Sequence, residues 1–303
     1  MKGSLHDFMR VGIVHFMAYP NAKDRDSYLA TLAEIAEDEF FDAVEMTSAP
    51  DNETAKDART LLESAGMAVG FGAQPILLGH RGNLNSFDQG ERELAIDLVK
   101  QAVDQAYALG AQKLGLLSGP NVEKSLQEQA TALLIASLQE IGRYANARGS
   151  LGVTLELFDH ATDKKCLVGS TRIAVEVAKE VRKVDANFGL MVDLSHLPMQ
   201  GESPAKALFT TRDYLTHAHM GNCVIRDVND PLYGDTHPRF GYTGGEVGVP
   251  ELTEYLRALV DIGYLAEGCN RIVAFEIKPT SGESSQAIIA QAKRTLRQSW
   301  QRV

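Results

Sequence analysis

FGLMVDLSH, Phe188 to His196, is the stretch that decides the fold. It is a near-continuous apolar run that passes into Asp193, and runs of this kind read as strands buried on both faces of a parallel sheet. Working outward, similar runs lie on either side. GVTLELF begins at Gly152, THAHMG at Thr216 and RIVAFEI at Arg271. Upstream stand KLGLLS from Lys113, AVGFGA from Ala68, DAVEMT from Asp42 and VGIVHF from Val11. Successive runs start about 26 to about 55 residues apart, which leaves room for a crossover helix each time.

Helical periodicity fills most of the gaps. Tyr28, Leu32 and Ile35 share one face, as do Leu134, Leu138, Ile141 and Ala145 before Gly149. Leu94, Leu98, Ala102, Ala106 and Leu109 predict a longer apolar stripe that ends at Gly110. Glycine just past a last turn adopts the left-handed cap at little cost. Ser203-Pro204 reads as an N-cap followed by proline at the first helical position. Eight strand–helix units predict an α/β fold of the (β/α)8 TIM-barrel type, one domain over residues 1–303. The competing doubly wound sheet would carry a glycine-rich turn after a strand, and neither GxGxxG nor a P-loop is present. The longest non-helical stretch, 221–248, holds six glycines and two prolines and follows the seventh strand.

Hydrophobic residues make up 44% and charged residues 23% of the chain, the balance of a globular protein with a sizeable core. A net charge of -10 disfavours a nucleic-acid surface, which needs clustered Lys and Arg. No apolar run approaches the ~20 residues of a membrane span. The opening MKGSLHDFMRVGIVHF lacks the apolar run and cleavage site of a signal peptide. Three scattered cysteines, Cys166, Cys223 and Cys269, without a CxxC pair, suit reduced thiols in a cytoplasmic compartment.

In a barrel, side chains at the C-terminal ends of the strands converge on one mouth. Strand five ends in Leu155-Glu156, six in Val192-Asp193, seven in His217-Ala218-His219 and eight in Phe275-Glu276. Three carboxylates and an imidazole on successive strands carry too much negative charge to lie together unpaired. One divalent cation resolves the repulsion, and an oxygen-rich set with one nitrogen suits manganese first, with cobalt, magnesium or zinc as alternatives. The bland alternative is four separate rim salt bridges.

TLELFD, MVDLSH, HAHMGN and AFEIKP, in that order, resemble the xylose-isomerase-like barrel superfamily. That group includes ketose 3-epimerases, hydroxypyruvate isomerases, inosose dehydratases and, more distantly, endonuclease IV. The stretch Asn85-Ser86-Phe87-Asp88 with Arg92 also looks like the family. The resemblance implies that Glu156, Asp193, His219 and Glu276 hold the metal and that Glu156 and Glu276 form the acid/base pair. It implies too that His196 and Arg226 hold the substrate's carbonyl-end oxygens. Where epimerases place a further acid about six positions beyond the first glutamate, this chain has Thr162. It offers Asp159 and His160 instead, and His160 reads either as a general base or as a solvated loop histidine.

Lys278 shares a side with Glu276 and either contacts substrate or forms a structural ion pair. His15 and Glu45 line the pocket or pack the rim, and Phe71 and Gln74 form a wall near the ligand. His217 lies on the face of His219, and His237, in HPRFG, closes over the site or caps it.

The expected activity is proton abstraction next to a carbonyl through an enediolate, giving a sugar isomerase or epimerase. A metal-dependent lyase or dehydratase of an oxo-sugar, inosose or oxo-C-glycoside uses the same site, and that reading alone brings in a partner subunit. The expected partner is a small-molecule sugar or sugar derivative, with neither nucleic acid nor membrane, and by analogy with such barrels a homo-oligomer.

Overall fold

A computed structural model describes residues 3–303. The eight apolar runs are eight strands: β1 Arg10–Val14, β2 Ala43–Met46, β3 Ala68–Gly72, β4 Lys113–Leu116, β5 Gly152–Glu156, β6 Gly189–Asp193, β7 Leu215–Met220 and β8 Ile272–Phe275. Each pairs in parallel with its sequence neighbours, and β8 closes on β1. Closure leaves no unpaired strand edge, the hazard of an open sheet. Among the described residues, no helix is long and apolar enough to cross a membrane.

The helices form the outer ring and many start as the sequence dictates. Asp24, Asp51, Asp88, Ser170, Ser203 and Ser284 each accept the N–H three residues on. Such caps satisfy a backbone donor that the helix leaves open, and each contributes ~1 kcal/mol. The faces of Arg25–Ala36 and Gln127–Asn146 are those read from periodicity, with Tyr28, Leu32, Ile35, Leu134, Leu138, Ile141 and Ala145 buried.

Two details differ from expectation. Helix Gln89–Ala108 buries Ala95, Ile96, Val99, Ala102, Val103 and Ala106, while Leu94 is 69% exposed. Leu94-Ala95-Ile96 is apolar throughout, so periodicity alone left the stripe free to rotate by one residue. Small and β-branched side chains let this helix approach its neighbours closely. Gly110 does take the left-handed cap at φ 76°. Gly149 does not; a Cβ there would stand 2.9 Å from the Tyr107 ring, so its reason is close packing.

Candidate active site

Four strand ends assemble the charged centre. Glu156 and Asp193 are the last residues of β5 and β6, His219 lies in β7, and Glu276 directly follows β8. Ligand atoms of these four residues all lie within 4.8 Å of one another. His219 Nδ1 stands 2.7 Å from Glu276 Oε2, 3.8 Å from Glu156 Oε1 and 3.7 Å from Asp193 Oδ2. Glu156 Oε1 and Asp193 Oδ2 are buried and have no hydrogen-bond partner. Buried carboxylate oxygens left unpaired cost far more than a satisfied pair. Two such oxygens facing one imidazole nitrogen fit the donor set of a divalent cation.

The protein's own charges pull these groups apart. Burial and the neighbouring Glu276 push the Glu156 carboxyl up to about 8. Asp193 is likewise raised, by burial and then by Glu276. Burial acts upward on Glu276 too, but His237 and His219 outweigh it and hold that carboxyl at about 2.

Beneath the centre, Glu45 of β2 accepts from His219 Nε2 at 3.0 Å and from His217 Nε2 at 2.7 Å. Glu45 thereby fixes the His219 ring with Nδ1 turned to the three carboxylates, as an outer partner of a metal-bound histidine does. Thr216 is the extra residue where the register of β7 slips against β6. Beyond that bulge His217 and His219 both point inward.

Several expected residues gather at the mouth. Gln74 Nε2 donates to Glu156 Oε2 at 2.7 Å, and Gly115 makes the room: a Cβ there would stand 2.9 Å from Gln74 Nε2. His196 is buried against Phe158, with ring centres 4.4 Å apart, and donates through Nδ1 to the Leu157 carbonyl at 2.7 Å. Lys278 lines the cavity, and Phe71 is a buried core residue. The cavity measures about 220 Å³ and is lined by Glu156, His219 and Glu276, with Phe16, Met17 and Phe158 as its apolar walls.

Three expected residues are not brought there. His15 starts a short helix immediately after β1, which turns its ring outward against Tyr19 and Tyr28, with Nε2 2.9 Å from Thr31 Oγ1. Arg226 is exposed and pairs with Glu246 at 3.1 Å. His160 is exposed, with Nδ1 3.4 Å from the Gly169 carbonyl. Its neighbour Asp159 is buried and accepts the backbone N–H groups of residues 161–165, so that carboxylate folds the loop. Thr162 belongs to the same loop and does not line the cavity.

That loop delivers Lys164, which sequence reading missed. Lys164 lines the cavity and lies 3.5 Å from Asp235. Asp235 was missed as well. Its Oδ1 is 3.1 Å from His196 Nε2 and 2.9 Å from His237 Nε2, tying the two rings together. The only sequence signal was its place two residues before His237 in the glycine-rich stretch. His237 sits in the left-handed region at φ 53°, held by the Lys278 N–H to its carbonyl at 2.8 Å. Burial acts downward on its imidazole, yet Glu276 and Asp235 raise it to about 9. Asp193, His196 and His237 also present ligand atoms close together, as do Glu45, His217 and His219.

A closed barrel with three carboxylates and an imidazole converging at its C-terminal mouth defines a class, and the sequence comparison agrees. The profile of the xylose isomerase-like TIM barrel family matches residues 32–298, and the chain belongs to that family. No match is found among curated protein sequences. Solved structures with the same fold include a D-tagatose 3-epimerase-like protein, 18% identical, with a TM-score of 0.74 over 97% of this chain and 99% of the other. The IOLI protein with a bound zinc atom is 17% identical, with a TM-score of 0.74 over 96% and 98%. The 3-keto-D-glucoside 4-epimerase YcjR of E. coli is 14% identical, with a TM-score of 0.68 over 95% and 98%.

Proposed function

We propose that this protein is a divalent-metal-dependent sugar isomerase or epimerase that works by proton abstraction next to a carbonyl. The observation that carries this reading is the pair of buried, unpartnered oxygens, Glu156 Oε1 and Asp193 Oδ2, facing His219 Nδ1. Glu156, Asp193, His219 and Glu276 would hold one ion, with manganese the first choice and cobalt, magnesium or zinc as alternatives. When bound, such an ion polarises a ketose carbonyl and the adjacent hydroxyl and so acidifies the neighbouring C–H.

The remaining work falls to side chains. Glu276, held ionised by His237 and His219, removes the proton from carbon, and the electron pair moves towards the carbonyl oxygen to give an enediolate. Glu156, oriented by the Gln74 amide, returns a proton. Return to the other face of the same carbon gives an epimer, and return to the neighbouring carbon gives an isomer. Lys164 and Lys278 are placed to meet substrate hydroxyls at the rim, and the apolar walls exclude water from the enediolate.

A second reading is elimination from an oxo-sugar, inosose or oxo-C-glycoside. It is favoured by His237, which lines the cavity and is raised to about 9 by Glu276 and Asp235, a proton source for a departing group once its contact with Asp235 opens. The test is mass spectrometry of ketoses and 3-oxo-glycosides incubated with metal-soaked protein in deuterated water. Deuterium entry at the carbon next to the carbonyl supports the reading, and the product then separates isomerisation from elimination. Absence of both deuterium entry and product across the panel would contradict both forms of the reading.

A further inference from the structure

The opposite end of the barrel holds a second built cavity, of about 280 Å³. It opens at the N-terminal ends of the strands, lined by Arg10 at the start of β1, Lys113 at the start of β4 and Arg271 just before β8. Its inner wall is His217, whose side chain is only 6% exposed. Among the described residues, none of the three cations forms an ion pair. Lys113 gives one N–H to the Thr216 carbonyl and has no other acceptor. Burial and the neighbouring Arg271 depress its ammonium to about 8, against the pull of the Glu45 carboxylate. Like charges gathered in a half-buried cavity repel unless an anion joins them.

His217 says more about that anion. Its Nε2 meets Glu45 at 2.7 Å, and because an ionised carboxylate only accepts, the proton of that bond belongs to the ring. The other nitrogen, Nδ1, is buried with no partner. A phosphate accepts from the cations and can meet Nδ1 in either state of the ring, with a bare oxygen or with a hydroxyl.

We propose that the N-terminal mouth is a second ligand site, in which Arg10, Lys113, Arg271 and His217 bind hydrogen phosphate or the phosphate monoester of a small polyol. The fork of Arg271 and the point charge of Lys113 suit phosphate oxygens. The site is separate from the metal centre, with Glu45 standing between His217 and His219.

The test is calorimetric titration of metal-soaked protein with inorganic phosphate, glycerol 2-phosphate and sulfate at neutral pH. Saturable binding of phosphate is expected, with sulfate competing for the same site. Arg271→Ser and Lys113→Met should each weaken phosphate binding at least ~10-fold. Arg172→Ser, an exposed arginine paired with Glu176 on the outer ring, should leave it unchanged. Whichever of inorganic phosphate and glycerol 2-phosphate binds more tightly identifies the source of the phosphoryl group. Because Lys113→Met alters a largely buried position, the exposed Arg271→Ser variant carries the test if the other fails to fold. Absence of binding, affinity untouched by Arg271→Ser, or affinity lost only in Asp193→Asn would overturn the proposal, the last by placing phosphate at the metal centre.

Discussion

At the C-terminal mouth of the barrel, Glu156, Asp193 and Glu276 meet a single ligand imidazole, with the Glu156 and Asp193 oxygens left over. At the N-terminal mouth, Arg10, Lys113 and Arg271 meet without an ion pair among the described residues. Between them Glu45 is bound by His217 and His219 and is fully satisfied. The Glu45 carboxylate has its hydrogen bonds made, and its charge also acts on Lys113 at longer range. The excess of one sign at each end underlies the two proposals, a cation held above and an anion below.

The contrast breaks most visibly at Glu276. Glu276→Gln keeps the shape of the site and removes the base, so proton exchange into substrate should fall by ~10²–10⁴-fold. Deuterium entry measured against the unaltered protein checks this, and exchange within a few-fold of it would remove Glu276 from its role. Next is Asp193→Ala. Metal at a hundred times its Kd should stabilise the unaltered protein by ~3 kcal/mol, read as a rise in Tm on soaking, and the variant should show no rise. An equal rise in both would break the claim that the upper mouth binds through its four strand ends.

A third test probes a histidine outside both mouths. Burial lowers His15 from 6.5 to about 4, so between those values the unfolded chain binds more protons than the folded one. Stability therefore falls as pH drops through 6.5 towards 4 and levels off below that. Between pH 7 and 5 the loss is ~2 kcal/mol, and His15→Asn should remove it from the pH dependence seen in urea unfolding. An unchanged slope would show that the buried ring does not titrate in this way. The smallest effect is expected at Gln74. Gln74→Leu deletes the N–H held by Glu156 Oε2 and should slow turnover about 5-fold, the equivalent of ~1 kcal/mol.

The fold was legible because buried parallel strands write themselves as apolar runs, and all eight are present. The convergence of Glu156, Asp193, His219 and Glu276 was legible because each lies at or beside a strand end, where the barrel fixes direction. Residues beyond the strands were harder to read. VGIVHF continues as an apolar run to Phe16, yet β1 stops at Val14 and the turn carries His15 away from the site. Arg226, His160, Lys164 and Asp235 all lie on loops, where sequence spacing says nothing of direction. Asp159 looked like chemistry and proves to be a loop anchor, because its carboxylate is consumed by backbone N–H groups. The cations of the lower mouth come from three separate strand starts, and only closure of the barrel makes them neighbours.

The most direct test of the metal centre is the metal content per chain of purified protein, by mass spectrometry before and after soaking with manganese. About one ion per chain, lost when Glu156 or Asp193 is replaced by alanine, is the result predicted here. No bound ion after soaking, or an ion retained in both variants, would contradict the four-ligand site and the chemistry derived from it.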